Sequence, residues 1–202
     1  MSAFPFVYLA SQSPRRQALL DQIGVAYQVL LPADAEAAEA LEAVLPHEPA
    51  LKYVKRVTRL KVQAALHQLQ HQSLPYAPVL CADTTVVVES QILGKPANTN
   101  EAKEMLGLLS GKTHQVLTAV AIGHNQDIHL ALSRSRVKFA PMTAADIQAY
   151  VASQEPMGKA GAYAIQGRAS AFISHVSGSY SGIMGLPVHE TAELLKPPWK
   201  GL

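Results

Sequence analysis

The stretch HQVLTAVAIGHNQDIHLALSRSRVKFA, residues 114–140, decides the fold class. It holds two long runs typical of β-strands, and the residues Asn125 to Asp127 between them favour a tight turn. Strands joined by such a turn run antiparallel, so the sheet that contains them is not purely parallel. The stretch therefore predicts a mixed sheet and argues against a doubly wound parallel fold.

Helices and strands alternate on both sides of this hairpin. Further strands are predicted at residues 6–10, 25–31, 78–90 and 169–177, with a hairpin return at 91–96. Predicted helices run from Ser13-Pro14 to Gly24, from Ala50 to about Leu69, from a cap at Thr99 or Asn100, from a cap at Thr143 to about Ser153, and over 186–196. Residues 32–49 are expected to be a loop or a weak helix. The alternation predicts an α/β protein.

The composition limits the function classes. Apolar residues make up 49% of the 202 residues and charged residues 16%, so folded structure is expected almost throughout. The 17 basic and 15 acidic residues are mixed along the chain, for a net charge of +2, which does not favour nucleic-acid binding. The single cysteine, Cys81, excludes an internal disulfide and a cysteine-rich zinc site, and it favours a reducing compartment.

No segment of the sequence predicts contact with a membrane. The apolar run from Ala3 to Ala10 is short and lacks the basic start of a signal peptide. No run approaches the roughly 18 apolar residues that a membrane span needs. We expect a soluble, cytoplasmic protein.

The motif SQSPRR, residues 11–16, predicts an anion site. It places Ser13 and two guanidinium groups, Arg15 and Arg16, at the start of a helix, where free N–H groups point outward. The planar guanidinium group of arginine suits phosphate oxygens, so a polyphosphate is the expected ligand. The alternative is a capped surface helix with two solvated arginines.

Asp83 is the unusual residue of the strand CADTTVVV, residues 81–88. An unpaired carboxylate in such apolar surroundings is costly, so Asp83 is paired, neutral or turned toward a cleft. In a cleft it could hold a divalent metal or accept a proton from water. The alternative is a purely structural ion pair.

Three further polar residues are candidates, each with a structural alternative. Lys95, in the rigid turn GKP, could reach a phosphate or be a solvated hairpin residue. Lys61 lies on a helix rich in basic residues, where a solvated face is the default. Gln166 ends the glycine-punctuated segment GKAGAYAIQG, residues 158–167, and its amide could recognise a nucleobase edge or satisfy the local backbone. The sequence has neither a P-loop nor a zinc or acyl-transfer signature.

Four segments taken in order resemble the Maf family of nucleotide pyrophosphatases. They are residues 9–25, 81–122, 150–167 and 178–195, which together span nearly the whole chain. The resemblance implies an α/β fold of the inosine-triphosphatase-like (Maf/Ham1) type, formed by a single domain, residues 1–202, with two lobes around a central cleft. It also implies a homodimer and a division-related role.

The activity implied by the resemblance is hydrolysis of a nucleoside triphosphate to the monophosphate and pyrophosphate, with Mg²⁺ or Mn²⁺ as cofactor. Asp83 matches the family's proton acceptor and a metal ligand. Ser13, Arg16, Lys61 and Lys95 match phosphate-binding positions. Arg15, Thr84 and Gln166 match positions of substrate choice, in the combination of the branch that acts on dTTP and UTP.

Two departures from the family pattern affect these expectations. The family often has adjacent acids after the second strand, whereas this chain has Asp34 and Glu36 separated by an alanine. Glu36 is therefore the candidate second metal ligand. The helix around Lys61 reads RVTRLKVQAA rather than RLAREKA. Two alternatives remain open: a pyrophosphatase for modified nucleotides such as 7-methyl-GTP, and a regulator of septum formation that senses nucleotides without hydrolysing them.

Overall fold

The computed structural model describes residues 5–72, 74–125 and 127–196. Within them lie seven strands: β1 (Val7–Leu9), β2 (Tyr27–Val29), β3 (Val79–Val88), β4 (Gln91–Leu93), β5 (Thr113–His124), β6 (Asp127–Phe139) and β7 (Ile173–Ser177). The same residues form seven α-helices: α1 (Pro14–Gln22), α2 (Ala35–Ala40), α3 (Ala50–Gln72), α4 (Thr99–Leu109), α5 (Ala144–Ala152), α6 (Tyr180–Met184) and α7 (Val188–Leu194).

The described strands form one mixed sheet in the order β2-β1-β3-β5-β6-β7, with β4 paired to β3. β1 runs parallel to β2 and β3, whereas β3, β5, β6 and β7 pair antiparallel. The hairpin of β5 and β6 is paired from His124 with Asp127 to Thr113 with Lys138. Its turn includes residue 126, which lies outside the described residues. The predicted α/β fold with a mixed sheet is confirmed.

The unequal lengths of β1 and β3 create the position of Asp83. β1 pairs with β3 only as far as Leu9 opposite Leu80, and β3 then continues to Val88. The chain after β1 turns away into α1, so the middle of β3 is bordered on that side by a turn rather than a strand. Asp83 and Thr84 lie in this uncovered part of β3.

Helices cover both faces of the sheet. Successive side chains of β3 point to alternate faces, so each residue of β3 belongs to one face or the other. On one face Val79 and Cys81 pack with Val62 and Ala65 of α3. On the other face Leu80 and Ala82 belong to an apolar cluster with residues of α1 and α7. Asp83 follows the α3 face and Thr84 the opposite face.

A further apolar cluster surrounds the far ends of β3, β5 and β6. It joins residues of α4 and α5 with Val86, Val116 and Phe139. This cluster and those beneath α1 and α3 lie on the two sides of the uncovered stretch of β3. A single domain over residues 1–202, made of two lobes, stays a prediction.

Several predicted element boundaries were wrong. Asn98, rather than Thr99 or Asn100, caps α4, because its side-chain oxygen accepts from two backbone N–H groups of the first turn. The strand predicted at 169–177 begins only at Ile173, after a 3₁₀ turn at Arg168–Phe172. Helix α6 was not predicted. Among the described residues, no helix is long and apolar enough to cross a membrane.

Candidate active site

A cavity of about 600 Å³ opens beside the uncovered part of β3. Its lining brings together eight of the nine predicted site residues from five separate parts of the chain. These eight are Ser13, Arg15, Arg16, Lys61, Asp83, Thr84, Lys95 and Gln166. Since they are scattered over more than 150 positions of the sequence, their convergence is a property of the fold.

The first turn of α1 presents both arginines to the cavity. Arg15 Nε donates to the carbonyl of Met184 at 3.2 Å, and Arg16 Nε donates to that of Gly185 at 2.8 Å. Arg16 also donates to the Ser11 hydroxyl at 3.0 Å. These bonds orient the guanidinium groups and leave other N–H groups of each for a ligand.

The start of α1 contributes its helix end to this site, although Pro14 has no N–H and the N–H groups of Ser13 and Arg16 already bond to Ser11 Oγ and the Ser13 carbonyl. Ser13 is the N-cap, followed by Pro14, and its side chain makes no capping hydrogen bond within the described structure. Burial lowers the pKa of Arg15 from its ordinary value, and it lowers that of Arg16 as well, although Asp83 acts in the opposite direction there. An anion bound at this turn would therefore be favoured by both guanidinium groups and by the helix start.

Lys61 is the centre of a network of charges. Its ammonium donates to Asp83 Oδ1 at 2.6 Å and to Glu42 Oε1 at 2.7 Å. Lys95 donates to Glu42 Oε2 at 2.8 Å. The Asp83 and Lys61 side chains are 9% and 19% exposed, so water screens their contact little.

The network fixes the charge of its members. Burial acts to lower the pKa of Lys61, but the charges of Asp83 and Glu42 outweigh it, and that pKa lies above its ordinary value. Burial acts to raise the pKa of Glu42, but Lys61 and Lys95 outweigh it and lower that pKa. Lys61 is therefore a cation and Glu42 an anion at neutral pH.

Glu42 is a site residue that the sequence analysis missed. It follows α2, where Tyr53 of α3 donates to its backbone carbonyl at 3.0 Å. Arg56 holds the neighbouring carbonyl of Ala43 at 2.8 Å and forms an ion pair with Glu48 at 2.7 Å. α3 thus fixes the loop that carries Glu42.

Glu36, which the resemblance suggests as a second metal ligand, does not lie at the cavity. Among the described residues, the cavity lining includes Glu39 and Glu42 but not Glu36, which is exposed in the first turn of α2. Asp34 caps α2 by accepting from the Ala37 N–H at 3.0 Å. The structure does not bring Glu36 together with Asp83, because α2 carries it on a face turned away from the cavity.

Thr84 lies on the face of β3 opposite Asp83. Its hydroxyl is 3.0 Å from that of Thr118 on β5, and Thr118 donates to the Gly182 carbonyl of α6 at 2.7 Å. A Cβ atom on Gly185 would lie 3.7 Å from Arg16 Nε and 3.8 Å from Thr84 Oγ1. Thr84 is therefore part of the wall that also holds the arginines.

Gln166 enters the cavity from the segment 158–167. Gly161 in this segment has φ of +68°, and a Cβ atom there would lie 2.8 Å from Val86, so the close approach to β3 requires glycine. The Gly161 N–H donates to the Gly94 carbonyl beside Lys95 at 3.0 Å. Lys159 lines the same cavity and donates to the backbone carbonyl of Glu155.

The donor set of the cavity fits a divalent cation. Asp83 and Glu42 each place a carboxylate oxygen within hydrogen-bonding distance of the same ammonium group. No group of three or more His, Cys, Asp or Glu side chains suited to a metal occurs among the described residues. This is the pattern of Mg²⁺ sites that use one or two carboxylates and complete the coordination shell with substrate phosphates and water.

Comparison with known proteins connects this chain to one family. The family model for Maf-like proteins matches residues 6–197. A dTTP/UTP pyrophosphatase of Polaromonas sp. (strain JS666) is 64% identical over 97% of each chain. Proteins of the same name from Albidiferax ferrireducens and Cupriavidus pinatubonensis are 60% and 56% identical, each over 95% of this chain and 96% of their own.

Proposed function

This chain belongs to the family of Maf-like proteins, and from that membership we propose that it hydrolyses dTTP and UTP to the nucleoside monophosphate and pyrophosphate. The enzyme is a nucleoside triphosphate pyrophosphatase, a hydrolase. The observation that carries the proposal is the meeting of Asp83 and Lys61 with the two arginines of the helix start in one cavity.

The triphosphate binds along the basic wall of the cavity. Arg15 and Arg16 donate to phosphate oxygens from the start of α1, where the helix end also favours an anion. Lys95 lines the same cavity, with a side chain that is 51% exposed and paired with Glu42. Negative charge that develops on the leaving pyrophosphate is stabilised by these preorganised cations.

Asp83 acts as the proton acceptor for the attacking water. Lys61 donates to Oδ1 and fixes the orientation of the carboxylate, so Oδ2 is the oxygen that receives the proton. Water then attacks the α-phosphorus, the bond to the bridging oxygen of the β-phosphate breaks, and the electron pair leaves with pyrophosphate.

We further propose that Asp83 and Glu42 hold a divalent cation together with the substrate phosphates. When bound, Mg²⁺ or Mn²⁺ supplies Lewis-acid stabilisation of charge on the phosphoryl oxygens. Glu42 replaces Glu36 in this proposal, because it shares Lys61 with Asp83.

Gln166 selects the base. Its amide accepts from N3–H and donates to O4 of uracil or thymine, whereas cytosine presents the reversed pattern. Thr84 and Arg15 line the same cavity and are the other two residues that we assign to substrate choice. A site built to pair with the polar edge of a base discriminates well, because a mismatched base leaves polar groups of the complex unpaired.

Two expectations from the resemblance extend the proposal: the chain forms a homodimer and works in the cytoplasm. The exposed apolar side chains Val29 and Leu31, at and beside the edge strand β2, are consistent with pairing of two copies. Sedimentation velocity and cell fractionation test these two points separately.

A panel of triphosphates with Mg²⁺ or Mn²⁺ tests the activity, with pyrophosphate and orthophosphate scored separately. We expect pyrophosphate from UTP and dTTP at a higher kcat/KM than from CTP, GTP or ATP. A preference for 7-methyl-GTP would assign the chain to the other branch. Nucleotide binding without turnover would make it a sensor.

The variant Asp83→Asn tests the mechanism. We expect kcat to fall by at least about 100-fold, the usual contribution of a general base, while calorimetry still detects nucleotide binding. Asp21→Asn is the matched control, since Asp21 is an exposed carboxylate of α1 outside the cavity lining. Equal activity of the two variants would contradict the role of Asp83.

A further inference from the structure

Tyr150 and Glu155 hold the chain on both sides of Gln166. The Tyr150 hydroxyl donates to Glu155 Oε1 at 2.8 Å and accepts from the Ala164 N–H at 3.3 Å. The other oxygen, Glu155 Oε2, accepts from the Arg168 N–H at 3.1 Å. The two anchored N–H groups therefore lie two residues before and two residues after Gln166.

Steric contact reinforces these hydrogen bonds. A Cβ atom on Gly167 would lie 2.2 Å from Glu155 Oε1 and 2.5 Å from its Cδ. The carboxylate thus packs directly against the backbone that follows Gln166. Tyr150 is 3% exposed and, with Val151, forms the buried end of α5, so the anchor itself lies in the core.

The charge of Glu155 suits this contact. Burial acts to raise the pKa of Glu155, but hydrogen bonds from the backbone of Arg168 and Ala169 and from Tyr150 outweigh it and lower that pKa. The group is therefore an ionised acceptor at neutral pH, and charge-assisted hydrogen bonds are stronger than neutral ones.

Gln166 depends on its backbone for its position. Its side chain is exposed to the cavity and makes no hydrogen bond with any other described residue. The direction of the amide is then set by the path of residues 164–168 rather than by side-chain partners. Whatever fixes that path fixes which base edge the amide meets.

We propose that Tyr150 and Glu155 are positioning residues that select uracil and thymine by fixing the backbone around Gln166. The inference rests on the proposed function, in which Gln166 pairs with the base. Neither residue contacts the phosphates in that proposal, so they act on base preference and not on the chemical step.

Tyr150→Phe is the main test, because it removes the hydroxyl that joins Ala164 to Glu155 and keeps the ring. We expect KM for UTP and dTTP to rise about 10-fold, the usual effect of losing one to two hydrogen bonds, with kcat changed less than about twofold. The KM for CTP, which makes no favourable pairing with Gln166, should change little. Glu155→Gln should have a smaller effect, since its amide oxygen can still accept from the Arg168 N–H.

The matched control is Tyr27→Phe. Tyr27 also donates to a carboxylate, Asp21 Oδ2, at 3.4 Å, but outside the cavity. We expect it to leave the ratio of kcat/KM for UTP over CTP unchanged. When Gln166→Ala is already present, adding Tyr150→Phe should not lower that ratio further, because the effects of residues that act through the same group are not additive.

Two results would overturn the inference alone. One is a fall in kcat/KM that is equal for UTP, dTTP and CTP in Tyr150→Phe, which would indicate a purely structural role. The other is a UTP-over-CTP ratio of kcat/KM that falls, in the variant with both Gln166→Ala and Tyr150→Phe, by the product of the two single effects. If the parent enzyme itself shows no preference for UTP and dTTP, the proposed function fails, and this inference fails with it.

Discussion

Acidification should destabilise this protein through His114, a buried residue at the start of β5. The side chain is 1% exposed, and its ring packs edge-to-face against Phe139 and Tyr163 at centroid distances of 5.2 and 5.4 Å. Nε2 is 2.9 Å from the Tyr163 hydroxyl, whereas Nδ1 has no hydrogen-bond partner among the described residues. Burial lowers the pKa of His114 from 6.5 to about 4.

The direction of the effect follows from these two values. A histidine whose pKa is lower in the folded state binds protons preferentially when unfolded, so acid favours unfolding between pH 6.5 and about 4. Linkage gives a loss of about 1 kcal/mol in the free energy of unfolding from pH 7 to pH 5.5, and about 3 kcal/mol below pH 4. For a chain of this size, 1 kcal/mol lowers the Tm by about 3 °C.

Differential scanning calorimetry of the parent and His114→Gln at pH 7 and pH 5.5 isolates this contribution. Glutamine can still pair with the Tyr163 hydroxyl but does not titrate, so the parent should lose about 3 °C more than the variant. His175→Gln removes an exposed histidine of β7 and should behave as the parent. Parallel pH dependences of the parent and His114→Gln would refute the reasoning.

Three further predictions concern the cavity. Lys61→Met leaves Asp83 and Glu42 without their shared cation, so urea unfolding at pH 7 should show a loss of about 2 kcal/mol in the free energy of unfolding; an unchanged free energy of unfolding would contradict this. Gly161→Ala should lower the free energy of unfolding by about 2 kcal/mol, because the added Cβ meets Val86. Gly24→Ala is the control: Gly24 also has a positive φ, +67°, but has open space around it, so the loss should be about 1 kcal/mol. Thermal unfolding measures both. Arg15→Ala should change both rate and base preference in the triphosphate panel, and Arg16→Ala mainly the rate; equal preference in both variants would contradict the distinction.

The fold was predictable where the sequence carries a local signal. The hairpin of β5 and β6 shows long strand-forming runs on both sides of a turn, and α1 begins with a cap followed by Pro14. Helix α6 escaped prediction because SYSGIM contains serine and glycine, which are poor helix formers, and its five residues form a helix only against β5 and β6.

The candidate site was predictable where chemistry conflicts with location. A carboxylate in the apolar strand β3 drew attention to Asp83, and paired arginines at a helix start predicted an anion site; the structure brings both to one cavity. Glu42 carried no such signal, since Glu36, Glu39 and Glu42 recur every third residue in an alanine-rich run. Only the contacts of that run with Lys61 and Lys95 distinguish one acid from the others.

Lys61 and Lys95 share Glu42 but cannot have the same role. Lys61 is 19% exposed and bound to two carboxylates, so moving it would leave Asp83 and Glu42 facing each other without a cation. Lys95 is 51% exposed and bound to Glu42 alone, and an exposed ion pair of this kind contributes little. In the proposed mechanism, a triphosphate that enters the cavity would take Lys95 from Glu42 at small cost, while Lys61 would stay on Asp83 and keep its carboxylate oriented. Release of Lys95 would leave one Glu42 oxygen for the proposed divalent cation.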